Sequence, residues 1–184
     1  MNTNKAFLKN TRYVAAWSHE IQANHLLPRT ITQIPLLFWR DQSGRVVALA
    51  DRCCHRAAPL SKGRLEGDRI RCMYHGLLFD TTGKCVEIPS QEFIPPAAKV
   101  RAYPVVERYK WIWVWMGDID RADPSLIPDT HYLDDAGWRG TPGYMYYDAN
   151  YLLITDNLLD FSHLSYVHES TLAARPSMPE LALK

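Results

Sequence analysis

Two short cysteine–histidine pairs constrain this chain more than any other feature of it. Cys53-Cys54-His55 is C-x-H and Cys72-Met73-Tyr74-His75 is C-x2-H, with sixteen residues between His55 and Cys72. Each pair follows a stretch expected to be a strand, so each should lie on a loop at a strand end. Two such loops from neighbouring strands can close over one metal centre from opposite sides. A single zinc ion can be held by two Cys and two His, but its usual spacing groups Cys with Cys and His with His. Here every loop supplies one of each, which suits a dinuclear cluster with each loop giving a ligand to each metal. Zinc stays open as the alternative at this point.

The rest of the first two thirds reads as short strands. Residues 34–39 and 46–50 are apolar and flank the turn signal Asp41-Gln42-Ser43-Gly44, a hairpin. Residues 77–80 and 84–88 flank Thr81-Thr82-Gly83 in the same way, and 103–106 and 111–116 flank Glu107-Arg108-Tyr109-Lys110. The run Trp111-Ile112-Trp113-Val114-Trp115-Met116 is apolar on both faces and is expected to be buried on both. Its aromatic stripe reads as core, because no basic residue interleaves it as a base-stacking platform would require. Residues 117–143 are turn-rich, with Pro124, Pro128 and Pro142, and place a domain boundary near 120–140. Residues 156–169 contain neither Gly nor Pro and read as helix; the tail from Ala174 has two prolines and no pattern.

Bulk properties exclude several classes. The 184 residues suffice for one full domain and part of a second. Twenty-one basic against twenty acidic residues give a net charge of +1, which points to neither nucleic acid nor a membrane surface. Met1-Asn2-Thr3-Asn4-Lys5 leads into no apolar signal segment and no run approaches a membrane span, so the chain reads as cytoplasmic. Four cysteines in such a chain point to metal rather than disulfides.

The two pairs, with the flanking Arg56-Ala57-Ala58-Pro59-Leu60-Ser61 and Tyr74-His75-Gly76, resemble the Rieske family. The resemblance implies Cys53 and Cys72 on the buried iron of a [2Fe–2S] cluster and His55 and His75 on the outer one. Respiratory Rieske proteins add two further cysteines joined as a disulfide; here those positions are Ala58 and Tyr74. They also carry Ser and Tyr donors shortly after the second His, where this chain has Leu77 and Phe79. Fewer donors to the sulfurs leave more charge on the cluster, so a low potential of the oxygenase or ferredoxin type is expected. Position 54, usually Pro in similar oxygenases, is Cys54, read as a small tolerated side chain or, more sharply, an extra ligand or redox-sensitive thiol. Cys85, in a strand, reads as a small core residue. Arg52, Arg56, Lys62, Arg64, Arg69 and Arg71 crowd residues 51–75 against Asp51, Glu66 and Asp68, either as a docking patch for an acidic electron donor or as an ordinary solvated face.

A second constellation lies downstream. On a wheel of about 100° per residue Asp156, Asp160 and His163 share a narrow face, whereas His168 falls about 140° from His163. A regular helix could not present both imidazoles to one metal, so a bend or change of register is expected between them. The stretch 156–168 resembles the iron-binding segment of Rieske non-haem iron aromatic ring-hydroxylating oxygenases, alpha subunits of the vanillate and dicamba O-demethylase kind. Arg101-Ala102-Tyr103-Pro104-Val105-Val106-Glu107-Arg108 and Asp156-Asn157-Leu158-Leu159-Asp160 carry that likeness outside the cluster loops.

The likeness implies His163 and His168 as two ligands of a mononuclear Fe(II) in a 2-His-1-carboxylate site. It implies Asp160 as the acid bridging a cluster histidine (His75) of one subunit to an iron histidine of the next, and hence a homotrimer; Asn157 would lie near the iron. The third ligand, an Asp in that family, falls beyond this chain, and neither Glu169 nor Glu180 replaces it convincingly.

The expected fold is thus a mainly β Rieske domain at residues 1–125, an antiparallel β-sandwich with two cluster-binding loops. Residues 126–184 follow as the linker and α+β start of an incomplete catalytic domain. The implied reaction takes electrons from NAD(P)H through a separate reductase or ferredoxin. It uses O2 to hydroxylate an aromatic compound or remove its O-methyl group, a hydroxylated methoxy carbon collapsing to phenol and formaldehyde. The alternatives are a Rieske electron-transfer protein with no chemistry of its own, or a catalytically incomplete remnant.

Overall fold

The structure, a computed structural model, describes residues 7–171. Ten strands come in the order β1 Thr11–Trp17, β2 Leu27–Ile31, β3 Ile34–Arg40, β4 Val46–Ala50, β5 Arg64–Glu66, β6 Arg69–Arg71, β7 Leu78–Phe79, β8 Cys85–Glu87, β9 Val105–Arg108 and β10 Trp111–Met116. Two helices follow, α1 Tyr151–Leu159 and α2 Leu164–Val167. The strands form three antiparallel sheets, ordered β1-β10-β9, β2-β3-β4 and β5-β6-β7-β8.

The period-2 alternation of β3 and β4 explains how the sheets stack. Leu37, Trp39, Val47 and Leu49 point into one core with Leu60, Ile70, Phe79 and Cys85 of the β5–β8 side. Leu36, Phe38 and Ala48 point the other way, into a core with Ala15, Ile112, Val114 and Met116 of β1 and β10. The β2-β3-β4 sheet is therefore the middle layer, apolar on both faces because both are covered. The sandwich expected from the sequence is present, with this third layer added. Strand β10 is buried from Ile112 to Met116, with the Trp113 and Trp115 indoles donating to Arg108 O and Asp118 O. Cys85 is fully buried in the first core.

The expected hairpins occur with shifted ends. Strands β7 and β8 are shorter than 77–80 and 84–88, and β9 runs on to Arg108, leaving Tyr109-Lys110 as a two-residue turn with φ of 55° and 60°. The chain divides into two compact units at Pro142/Gly143, at the end of the turn-rich stretch 117–143. Residues 118–127 join the first unit because Arg12 Nε donates to Asp123 O, Asn10 Oδ1 accepts from Asp118 N–H, and Ile127 is buried.

In the second unit the single helix expected over 156–169 is replaced by two. Helix α1 starts earlier, where Asn150 Oδ1 caps Leu152 N–H at 3.0 Å. It stops at Leu159 because the Asp160 carboxylate accepts from Ser162 N–H (2.9 Å) and Ser162 Oγ (2.6 Å). Such a local side-chain turn competes directly with helix propagation. No helix of the described residues is long and apolar enough to cross a membrane.

Candidate metal centre

The two Cys/His loops share one backbone design. Cys53 N–H donates to Ala58 O (2.8 Å) and its carbonyl accepts from Ala57 N–H (3.0 Å). Cys72 N–H donates to Leu77 O (2.8 Å) and its carbonyl accepts from Gly76 N–H (3.1 Å). In both loops the fourth residue after the cysteine takes a left-handed conformation, Ala57 at φ 56° and Gly76 at φ 73°. Each loop therefore turns back on its own cysteine and projects the intervening histidine outward.

Neighbouring side chains fix both loops. Asp51 accepts from Ser61 N–H (2.7 Å) and Ser61 Oγ (2.6 Å), closing the base of the first loop. Arg71 donates to Gly76 O (2.7 Å) and pairs with Glu66 and Glu87, closing the second. Those two carboxylates raise the already high Arg71 pKa further and are themselves held below the usual carboxylate range by Arg71.

Burial sorts the four groups into two pairs. Cys53 and Cys72 are each 3% exposed and sit at the edge of the first core. Burial, with the Cys72 thiol alongside, pushes the Cys53 thiol up to about 11, so a metal held here has to displace a tightly held proton. His55 and His75 are exposed, with ring centroids 4.6 Å apart in an edge arrangement, and the Tyr74 ring lies 4.0 Å from His75. Among the described residues no three His, Cys, Asp or Glu side chains converge as ligands of one ion. Two thiols inside and two imidazoles outside are instead the donor set of a dinuclear centre, in which each iron takes two protein ligands.

The sequence matches the Rieske [2Fe-2S] domain over residues 11–104. The chain belongs to the Rieske family. Its domain binds a [2Fe–2S] cluster, and the inner thiols and outer imidazoles fit that group. Residues 147–182 match the C-terminal domain of the vanillate O-demethylase oxygenase. The iron-sulfur subunit of the toluene-4-sulfonate monooxygenase system of Comamonas testosteroni is 57% identical over 90% of this chain and 48% of that protein. The oxygenase component of dicamba O-demethylase from Stenotrophomonas maltophilia is 46% identical over 89% of the chain and 48% of its own length. A crystal structure of dicamba monooxygenase with non-heme iron and dicamba superposes with a TM-score of 0.79 at 45% identity, covering 83% of this chain and 47% of that one. The chain thus spans about half the length of the curated relatives it matches.

The second unit brings together the other histidines singled out in the sequence. His163 stands at the residue just before α2 and His168 at the one just after it, with φ −110° and ψ 22°. Because His168 has left the helix, its ring comes to 5.4 Å from that of His163 instead of facing about 140° away. Asp160, exposed, lies three residues before His163 and is held below the usual carboxylate range by Ser162 and then by His163. Asp156 and Asn157 stay on α1, Glu169 is exposed beside His168, and Glu180 lies outside the described residues.

Cys54 is exposed, and burial by its surroundings still raises its thiol above the ordinary value. The sequence reading missed Ser61 and the Arg71–Glu66–Glu87 cluster as supports of the loops. Only the acid and base residues near the cysteines hinted at them.

Proposed function

We propose that this chain is an oxygenase component in which Cys53, His55, Cys72 and His75 hold the [2Fe–2S] cluster and His163 and His168 hold a mononuclear Fe(II). The observation that carries the reading is the pairing of both histidine couples, 4.6 Å and 5.4 Å between ring centroids, within a chain that matches both domains of such a component. Residues 1–125 serve as the Rieske domain, and 126–184 as linker and start of the catalytic domain.

When bound, the cluster stores and relays single electrons, and the mononuclear iron, with coordination positions left open, supplies the site for O2. The chain's own residues position these groups. Ser162 keeps the Asp160 carboxylate anionic and oriented, able to accept an N–H from His163 on one side and from His75 of a neighbouring subunit on the other. That bridge needs a neighbouring subunit, and the family resemblance makes the assembly a homotrimer in which one subunit's cluster serves the next subunit's iron. The donor is an NAD(P)H-dependent reductase or a ferredoxin. The substrate class is a methyl- or methoxy-bearing aromatic compound, hydroxylated or O-demethylated with O2, in line with the toluene-4-sulfonate and dicamba enzymes it resembles.

A second reading, a Rieske electron-transfer protein, is favoured by two observations. No carboxylate among the described residues joins His163 and His168 as a third ligand, and no described residue of 143–171 is buried. Iron and acid-labile sulfide per chain separate the two. The oxygenase reading expects three irons and two sulfides, with His163→Ala losing one iron while keeping the cluster's colour. A count of two irons, unchanged by His163→Ala, selects the carrier. One zinc and no sulfide would remove both.

A further inference from the structure

The six basic residues around the cysteine loops do not act together in the fold. Arg64 and Arg71 are paired with Glu66 and Glu87. By contrast, Arg52 and Arg56 line an open depression of about 410 Å³ with Lys99 and Arg101, which the sequence places more than forty residues away. His55 and Cys54 form part of its floor, and no carboxylate belongs to its lining. Among the described residues none of these four cations forms an ion pair, and all four are exposed. Arg101 is steadied by Gly117 O and by the Tyr103 ring, 4.9 Å from its guanidinium. His75 lines no part of this depression.

We infer that this basic depression is where an acidic protein surface carrying a one-electron donor docks, so that electrons enter the chain at His55 and not at His75. The inference rests on the reading of the chain as a cluster-bearing electron acceptor, and it assigns the two outer histidines opposite duties. A concave surface of one sign, with no internal counter-charge, focuses its field and speeds encounter with an oppositely charged partner. A small anion would need a closed cradle; an open depression lined by four exposed cations suits a broad acidic patch. The transfer itself moves no atoms: the donor is oxidised by one electron and the [2Fe–2S] centre is reduced by that same electron.

The test uses the full chain with its cluster, a reduced, acidic plant-type [2Fe–2S] ferredoxin as protein donor, and photoreduced, uncharged 5-deazariboflavin as small donor. Bleaching of the cluster's visible absorption reports both rates. Arg52→Glu with Arg56→Glu should slow reduction by the ferredoxin at least tenfold at low salt and flatten its dependence on ionic strength. Lys99→Glu, off the ligand loops, should act in the same direction by several-fold. Reduction by the deazaflavin should not change, and Lys110→Glu, in the β9–β10 turn, should match the unaltered chain with both donors. If Lys99→Glu and the double reversal both match Lys110→Glu while each holds its cluster, the docking site is wrong and the cluster reading stands. If the unaltered chain accepts no electron even from the deazaflavin, the cluster reading itself fails and takes the docking site with it.

Discussion

At the scale of single residues, the Cys53 loop depends on one carboxylate. Asp51 closes it by accepting two hydrogen bonds from Ser61, and its place just after β4 makes it the hinge between sheet and loop. Asp51→Ala leaves the Ser61 N–H and hydroxyl without their acceptor, a loss of about 1–3 kcal/mol. It should also speed loss of the cluster to a chelator, followed by visible absorption. Ser61→Ala keeps the backbone hydrogen bond and should cost less than half as much in urea unfolding; equal costs would mean that the hydroxyl does all the closing.

Asp41 makes a pH-dependent contribution. Its carboxylate accepts from Ser43 Oγ, Arg45 N–H and the Arg45 side chain, which together hold it below the usual carboxylate range. A carboxylate depressed in the folded state stabilises the fold above its unfolded pKa, about 3.9, and loses that contribution as pH falls through the folded value. The stability gap between the native chain and Asp41→Asn should be widest above pH 5 and close as the pH is lowered towards 3. A gap independent of pH in urea titrations would show that Asp41 acts through shape alone.

At the scale of elements, two hairpin turns are copies of one another. Asp41-Gln42-Ser43-Gly44-Arg45 and Asp80-Thr81-Thr82-Gly83-Lys84 share the Asp side-chain bonds to the hydroxyl and two backbone N–H groups, and their glycines have φ of 82° and 83°. Their surroundings differ: a Cβ on Gly44 meets nothing, whereas one on Gly83 collides with Val100 O. Gly44→Ala should therefore cost only the left-handed backbone penalty, about 1–2 kcal/mol. Gly83→Ala should cost about 1–3 kcal/mol more, because the backbone at Val100 has to move. Thermal melts of the two variants measure the difference, and equal melting temperatures would contradict the packing of Val100 over the turn.

These Gly-bearing turns were legible in the sequence, as were β3, β4 and β10, because apolar runs and turn residues coincide there. Strand β2 was not legible. It holds Pro28, tolerable because β2 is a sheet edge, and it ends in Thr32-Gln33, both at positive φ without the Gly or Asn that signals such a turn. The three-residue strands β5 and β6 are too short for a period to show. In the candidate site the two Cys/His pairs stood out by their spacing, whereas the meeting of His163 and His168 depends on the break at Asp160, a competition between Ser162 and the helix that composition does not reveal. The sequence does not group Lys99 and Arg101 with Arg52 and Arg56, because only the fold brings them side by side.

At the scale of the whole molecule, burial is distributed very unevenly. Every residue of the two cores, and all four cysteine and histidine groups of the first site, belong to the unit ending at Pro142. The second unit exposes Tyr151, Leu152, Leu153, Leu158, Leu159 and Phe161 at 50% or more of their surface. A helix with apolar side chains open to water gains little from its own packing and tends to associate. Ending the chain after Pro142 should therefore leave a folded unit with two irons, two sulfides and an unchanged cluster spectrum. The shortened chain should also bind less of an apolar dye and sediment more slowly than the 184-residue chain at equal mass concentration, beyond the difference in mass. Loss of the cluster on truncation would mean that residues after 142 contribute to the stability of the first unit, although neither of its cores includes them.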